Sequence, residues 1–158
     1  IMIQIGDKIP AVNLTRVSAD GQEPVSAEQL FAGKKVVLFA VPGAFTPTCS
    51  NTHLPGYIVF ADQILAKGVD MIACVSVNDA FVMQAWAAAQ NAEAICMLAD
   101  GGGAFTQALG LAMDTGDFGG VRSQRYAMVI DNGTVTLLNV ELPKTFEVSN
   151  AETLLAAL

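Results

Sequence analysis

The sequence predicts an α/β layer fold built on a mixed sheet. Three observations carry that prediction. Strand-length apolar runs alternate with helical segments from Lys34 to Leu109, an Asn132-Gly133 dipeptide splits a later apolar stretch, and a helical segment closes the chain. Segments that alternate in this way form a parallel sheet in the first half, and the later hairpin adds antiparallel strands.

Each element follows from its own pattern. Lys34–Val41, "KKVVLFAV", is a buried strand stopped by Pro42-Gly43. Residues from about Thr48 to Lys67 read as a helix ended by Gly68, with Pro55 kinking its interior. Val69–Val77 is a second apolar strand, β-branched on both faces and so central rather than at an edge. Asn78 is then expected to cap a helix over Asp79–Gln90. Ala94–Asp100 is a third strand, followed by a glycine-rich turn and a short helix near Phe105–Leu109. Gln124–Glu141 forms the hairpin, and Ser149 or Asn150 caps the last helix.

The 158 residues suit one domain, 1–158, with no linker or repeat. A chain of this size buries roughly 70% of its unfolded surface and needs neither disulfide nor metal to stand. Hydrophobic residues make up 53% and charged residues 15%, which predicts a dense core and a subunit interface. A net charge of −7 without a basic run argues against nucleic acid and anionic membranes. No apolar run is long enough to span a bilayer, and no secretory signal is expected. Three cysteines without paired spacing fit reduced thiols in the cytoplasm.

Cys49 is the candidate to carry chemistry. It falls in the first turn of a helix, where N–H groups lack helical partners and the dipole favours negative charge. Such a position favours thiolate over thiol. Pro47 suits a site whose N–H has no helical partner, and Thr46 can cap the turn or aim its hydroxyl at whatever the sulfur attacks. Local context alone leaves open a small buried hydrophobe at position 49.

Pro42-x-x-x-Thr46-x-x-Cys49, within "PGAFTPTCSNTHLPG", resembles the active-site signature of the peroxiredoxins, and of their peroxiredoxin-5 subfamily with the plant type II enzymes. The likeness continues through "VSVNDAFVMQAW", "LADG", "RSQRYAMVIDNG" and "LNVE" and covers nearly the whole chain. It implies a thioredoxin-like fold, a central mixed sheet flanked by helices. It also implies a thiol-dependent peroxidase for hydrogen peroxide and organic hydroperoxides, with no metal or bound cofactor. By the same resemblance Cys49 attacks the peroxide and becomes sulfenic acid, Thr46 hydrogen-bonds peroxide and thiolate, and Pro42 shields the pocket from water. Arg125 is implied to reach the thiolate from a distant strand, although Arg122 is equally visible in the sequence. The Thr48 and Cys49 N–H groups, with Arg125 and the Thr46 hydroxyl, are expected to stabilise the leaving oxygen.

Cys74 follows Cys49 by 74 − 49 = 25 residues and matches the second cysteine of the type II enzymes. It reads equally as a resolving thiol or as a buried strand residue, and a bridge to it would need local unfolding. Cys96 reads as core. His53 stands four residues after Cys49, but a Cys–His hydrolase draws its histidine from another element, so a structural or interface role is expected. A redox sensor that signals through Cys49 is the alternative to a turning-over enzyme. The resemblance further implies a homodimer, with faces near "PGAF" and the Asn78–Phe81 turn, and reduction by glutaredoxin with glutathione or by thioredoxin.

Overall fold

The computed structural model describes residues 1–158. Nine strands form in chain order: β1 (Asn13–Ser18), β2 (Gly21–Ser26), β3 (Lys35–Ala40), β4 (Met71–Ser76), β5 (Cys96–Ala99), β6 (Ala112–Asp114), β7 (Val121–Ser123), β8 (Tyr126–Asp131) and β9 (Thr134–Val140). Five α-helices accompany them: α1 (Ala27–Phe31), α2 (Leu54–Leu65), α3 (Ala80–Gln90), α4 (Ala104–Ala108) and α5 (Ala151–Ala157). Seven strands make one sheet in the order β2-β1-β5-β4-β3-β8-β9, and β6 pairs with β7 apart from it. β3, β4 and β5 run parallel through the α2 and α3 crossovers, whereas β8 and β9 are antiparallel. The mixed sheet expected from the pattern is therefore present, with the parallel strands at its centre.

The central strands read as unbroken apolar runs because both faces are covered. Val37, Phe39 and Val41 point to the side packed by Tyr57, Ala61 and Ile64 of α2, Trp86 of α3 and Leu154 of α5. Val36, Leu38 and Ala40 point to the other side, against Phe31 of α1 and Phe105 of α4. The hairpin turn has positive φ at both Asn132 (47°) and Gly133 (81°), the two-residue turn that matches strand twist.

Three details differ from the sequence expectation. Residues 13–31 add a hairpin and α1 that the apolar pattern did not announce, because β2 carries Gln22, Glu23 and Pro24 as an exposed edge strand. The capping residue of α3 is Asp79, not Asn78. The Asp79 carboxylate accepts from the Val82 N–H at 2.9 Å. The Asn78 side-chain Oδ1 is engaged elsewhere, accepting from the Ala44 N–H (2.9 Å) and the Ser76 hydroxyl (2.6 Å). Finally, Pro55 does not kink a continuous α-helix. It sits in the first turn of α2, and a π-helical turn over Cys49–His53 precedes it. Proline is well tolerated there because it donates no N–H to the turn before it.

The register sets up the site. β8 runs antiparallel to β3 with Tyr126 opposite Ala40. Arg125, one residue before Tyr126, is thus delivered to the end of the sheet where β3 runs into the Pro42-Gly43 turn and Cys49 follows.

Candidate active site

The π turn presents Cys49 to the sheet side of its helix, where the residue is fully buried. The Arg125 guanidinium meets it there, with Nη2 donating to Cys49 Sγ at 3.1 Å. A charge-assisted contact of this kind stabilises negative charge on sulfur. The Thr48 and Cys49 N–H groups make no hydrogen bond within the chain, as the first turn of a helix requires. Arg122, the other visible arginine, is engaged elsewhere. Its Nη1 donates to the Val77 carbonyl (2.8 Å) and its Nε to the Gly119 carbonyl (3.1 Å), clamping neighbouring loops.

Thr46 takes a role its sequence position did not specify. Its hydroxyl donates to the Gly43 carbonyl at 2.6 Å, so the oxygen is left as an acceptor. Gly43 is closely approached: a Cβ there would come within 3.1 Å of the Thr46 methyl. Pro42 is half-buried and shares with Arg125 the wall of a cavity of about 320 Å³. Met113, Glu141, Leu142 and Lys144 also line it, whereas Cys49 does not.

His53 takes the structural part expected of it, with partners the sequence did not disclose. It is fully buried, and its ring ties Arg125 to the far end of the chain. Nε2 lies 3.0 Å from the Ser149 carbonyl, which only accepts, so Nε2 carries the proton. Nδ1 then accepts from Arg125 Nη1 at 2.7 Å. Phe146 packs on both partners, its ring 4.9 Å from the His53 ring and 5.7 Å from the Arg125 guanidinium carbon. With Nδ1 occupied by a cation, His53 cannot serve Cys49 as a base, which removes the Cys–His hydrolase.

Neither Cys74 nor Cys96 hydrogen-bonds to Cys49 or Arg125. Cys74 is fully buried in β4, opposite Phe39, in the same core as Cys49. Burial first, and then the proximity of Cys49, pushes its thiol well above the ordinary range, so it stays protonated. Cys96 is half-buried at the start of β5, packed against the opposite core, and burial raises its thiol too.

Comparison with known proteins places this geometry. The model of the Redoxin family matches residues 4–155. Peroxiredoxin-2E-2, chloroplastic, of Oryza sativa subsp. japonica is 52% identical over 163 residues, covering 99% of this chain and 72% of the relative. Peroxiredoxin-2C of the same organism is 50% identical over 159 residues, covering 99% and 98%. The crystal structure of reduced Prx3 from Vibrio vulnificus in complex with H2O2 is 68% identical, covers 99% of each chain and superposes with a TM-score of 0.97.

The same network makes stability depend on pH. Burial, and then the Arg125 charge, lower the His53 pKa from 6.5 to about 3. Burial acts to raise the Glu141 pKa, but hydrogen bonds from the Ser149 side chain and the 147–149 backbone outweigh it and hold it at about 2, against 4.5. Between pH 6.5 and 3 the unfolded chain binds a proton at His53 that the folded chain refuses, so stability falls as pH falls. Below 4.5 Glu141 adds to the loss in the same direction. We therefore expect unfolding free energy to drop by about 1.4 kcal/mol per pH unit below 6.5 from His53 alone. As His53 is the single histidine, His53→Gln should flatten the slope between pH 6.5 and 4.5 in urea titrations. An unchanged slope in that variant would contradict a neutral buried imidazole.

Proposed function

This chain belongs to the Redoxin family and is a thiol-dependent peroxidase of the peroxiredoxin kind, and from that premise we propose that Cys49 is the nucleophile. The reaction consumes a peroxide and a thiol reductant. The observation that carries the assignment is the 3.1 Å contact from Arg125 Nη2 to Cys49 Sγ. The Cys49 thiolate attacks the nearer peroxide oxygen, an S–O bond forms and the O–O bond breaks. The bonding pair leaves on the distal oxygen, which takes a proton to become water or an alcohol. The sulfur, oxidised by two electrons, is left as sulfenic acid.

The surrounding groups divide the work by hydrogen-bond polarity. Arg125 and the free Thr48 and Cys49 N–H groups are donors, suited to the charge that develops on the leaving oxygen. Thr46, its own proton committed to Gly43, accepts the O–H of a neutral hydroperoxide and orients it. This differs from the donor role expected from sequence. Pro42 forms the rim that limits water. Cys49→Ser should abolish turnover with the fold intact, and Arg125→Ala should slow the single-turnover rate with hydrogen peroxide by about 10²-fold. Turnover retained in Cys49→Ser would end the assignment.

We assign regeneration to an external thiol, glutathione with glutaredoxin or thioredoxin, acting in trans. The support is the state of Cys74: protonated, fully buried and central in the sheet, it is a poor attacking thiol. Dependence on free thiols suits a reducing compartment such as the cytoplasm. One equivalent of peroxide followed by glutathione should leave a glutathione adduct on Cys49, and Cys74→Ser should keep full turnover. A rapid, quantitative Cys49–Cys74 disulfide in peptide maps, formed without added thiol, would overturn this.

A homodimer covers the apolar groups around the site. Phe45 (55% exposed) projects from the turn after β3, Phe81 (75%) from the first turn of α3 and Phe118 (75%) from a 3-10 turn over Gly116–Phe118. The segments that carry them are cross-linked by the Ala44–Asn78 and Arg122–Val77 hydrogen bonds, so the three rings belong to one surface. Sedimentation at micromolar concentration should show a dimer, and Phe81→Asp should shift it toward monomer. Only monomer in the wild type would refute the dimer.

A further inference from the structure

Glu141 stands at the end of β9, in the "LNVE" stretch, and takes no part in the chemistry described above. Its surroundings are unusual for a surface-strand carboxylate. It is 7% exposed, and five donor groups converge on its two oxygens. Three are consecutive backbone N–H groups, those of Glu147 (2.9 Å), Val148 (2.9 Å) and Ser149 (2.8 Å). The other two are the Ser149 hydroxyl at 2.7 Å and the Thr145 hydroxyl at 3.0 Å. Successive N–H groups aimed at one point form a concavity for an anion, and here the chain supplies its own.

The segment so folded touches Arg125 at three levels. The Glu141 N–H donates to the Arg125 carbonyl at 2.9 Å, extending the β8–β9 ladder by one bond. The Ser149 carbonyl accepts from His53 Nε2 (3.0 Å) and from the Tyr57 hydroxyl (2.7 Å), which fixes the tautomer that offers Nδ1 to Arg125. Phe146, between the anchored ends, packs against the guanidinium. Each of these contacts comes from Glu141 or from the Leu142–Ser149 segment that its carboxylate holds.

We propose that Glu141 is a positioning residue for the peroxidase reaction: its carboxylate folds residues 142–149 into a bracket that sets the Arg125 guanidinium on Cys49 through His53 and Phe146. The inference rests on the assignment of Arg125 to the reaction. Glu141→Gln keeps the size but replaces one acceptor oxygen with an N–H₂ group that confronts the converging donors. The bracket then loosens and the guanidinium loses two of its supports.

The test is a double-mutant cycle read by stopped-flow, with the fluorescence of Trp86 as reporter. Trp86 is the only tryptophan, and its indole N–H donates to Ser50, the neighbour of Cys49, at 3.0 Å. In the wild-type background Glu141→Gln should slow oxidation by hydrogen peroxide about tenfold, whereas in the Arg125→Ala background it should add less than about twofold, because residues acting through one partner are not additive. A merely structural role would cost the same factor in both backgrounds. Ser149→Ala removes a single donor and leaves the backbone bonds. Run through the same cycle, it should show the same non-additivity at smaller size, and it decides the matter where Glu141→Gln does not fold. An unchanged rate, or equal losses in both backgrounds, would overturn the bracket alone. An unchanged rate in Arg125→Ala itself would overturn the assignment of Arg125, and the bracket with it.

Discussion

A half-buried guanidinium set against a buried sulfur is the contact on which the rest of this structure turns. Arg125 lies 76 residues from Cys49 in sequence, so no local propensity can bring them together. The pairing of β8 with β3 does so, and a slip of one residue in that register would carry the arginine to the other face of the sheet. A cation drawn partly out of water needs its lost hydration answered by the protein. Here the answers are a sulfur, an imidazole lone pair and the face of Phe146. Register, core and site are thus one problem with one solution.

The neutral state of His53 belongs to that solution. An imidazolium in this position would set two cations side by side, one of them fully buried. Burial and Arg125 keep the ring neutral, and the ring in turn gives Arg125 an acceptor without bringing in a second formal charge. The positive charge of the site therefore resides on a group that cannot lose its proton. The cationic state of the site is insulated from pH across the range where a histidine would change state.

Much of the fold was legible because its physics is local or periodic. β3 and β4 have apolar side chains on both faces, and Asn132-Gly133 admits positive φ at both positions. Position 78 misled because Asn78 and Asp79 are both good caps, and only tertiary contacts show that Asn78 bridges Ala44 and Ser76. β2 was silent because an exposed edge needs no apolar alternation. In the site, the place of Cys49 after a strand and turn pointed to a reactive thiol but left a small buried hydrophobe open, and only resemblance to a family singled it out. Arg125 could be told from Arg122 only by resemblance to a family, since the difference between them is which strand partner each one faces. The bracket around Glu141 was hidden most deeply. Its donors are mostly backbone N–H groups, and the sequence does not record where those point.

The π turn at Cys49–His53 has a further consequence. Leu54, Tyr57, Ala61 and Ile64 mark the core-facing stripe of α2. Carried back at 3.6 residues per turn, that stripe would emerge at Ser50 and leave Cys49 about 100° away around the axis. One surplus residue in the turn acts as a phase correction and brings the sulfur onto the stripe. The two ends of this helix answer to different masters, the core at one end and the arginine at the other, and the surplus residue reconciles them. Most helix–loop junctions absorb an insertion or deletion by letting a loop grow or shrink. This one has no such slack, so the number of residues between Cys49 and Leu54 is constrained as strictly as their identity.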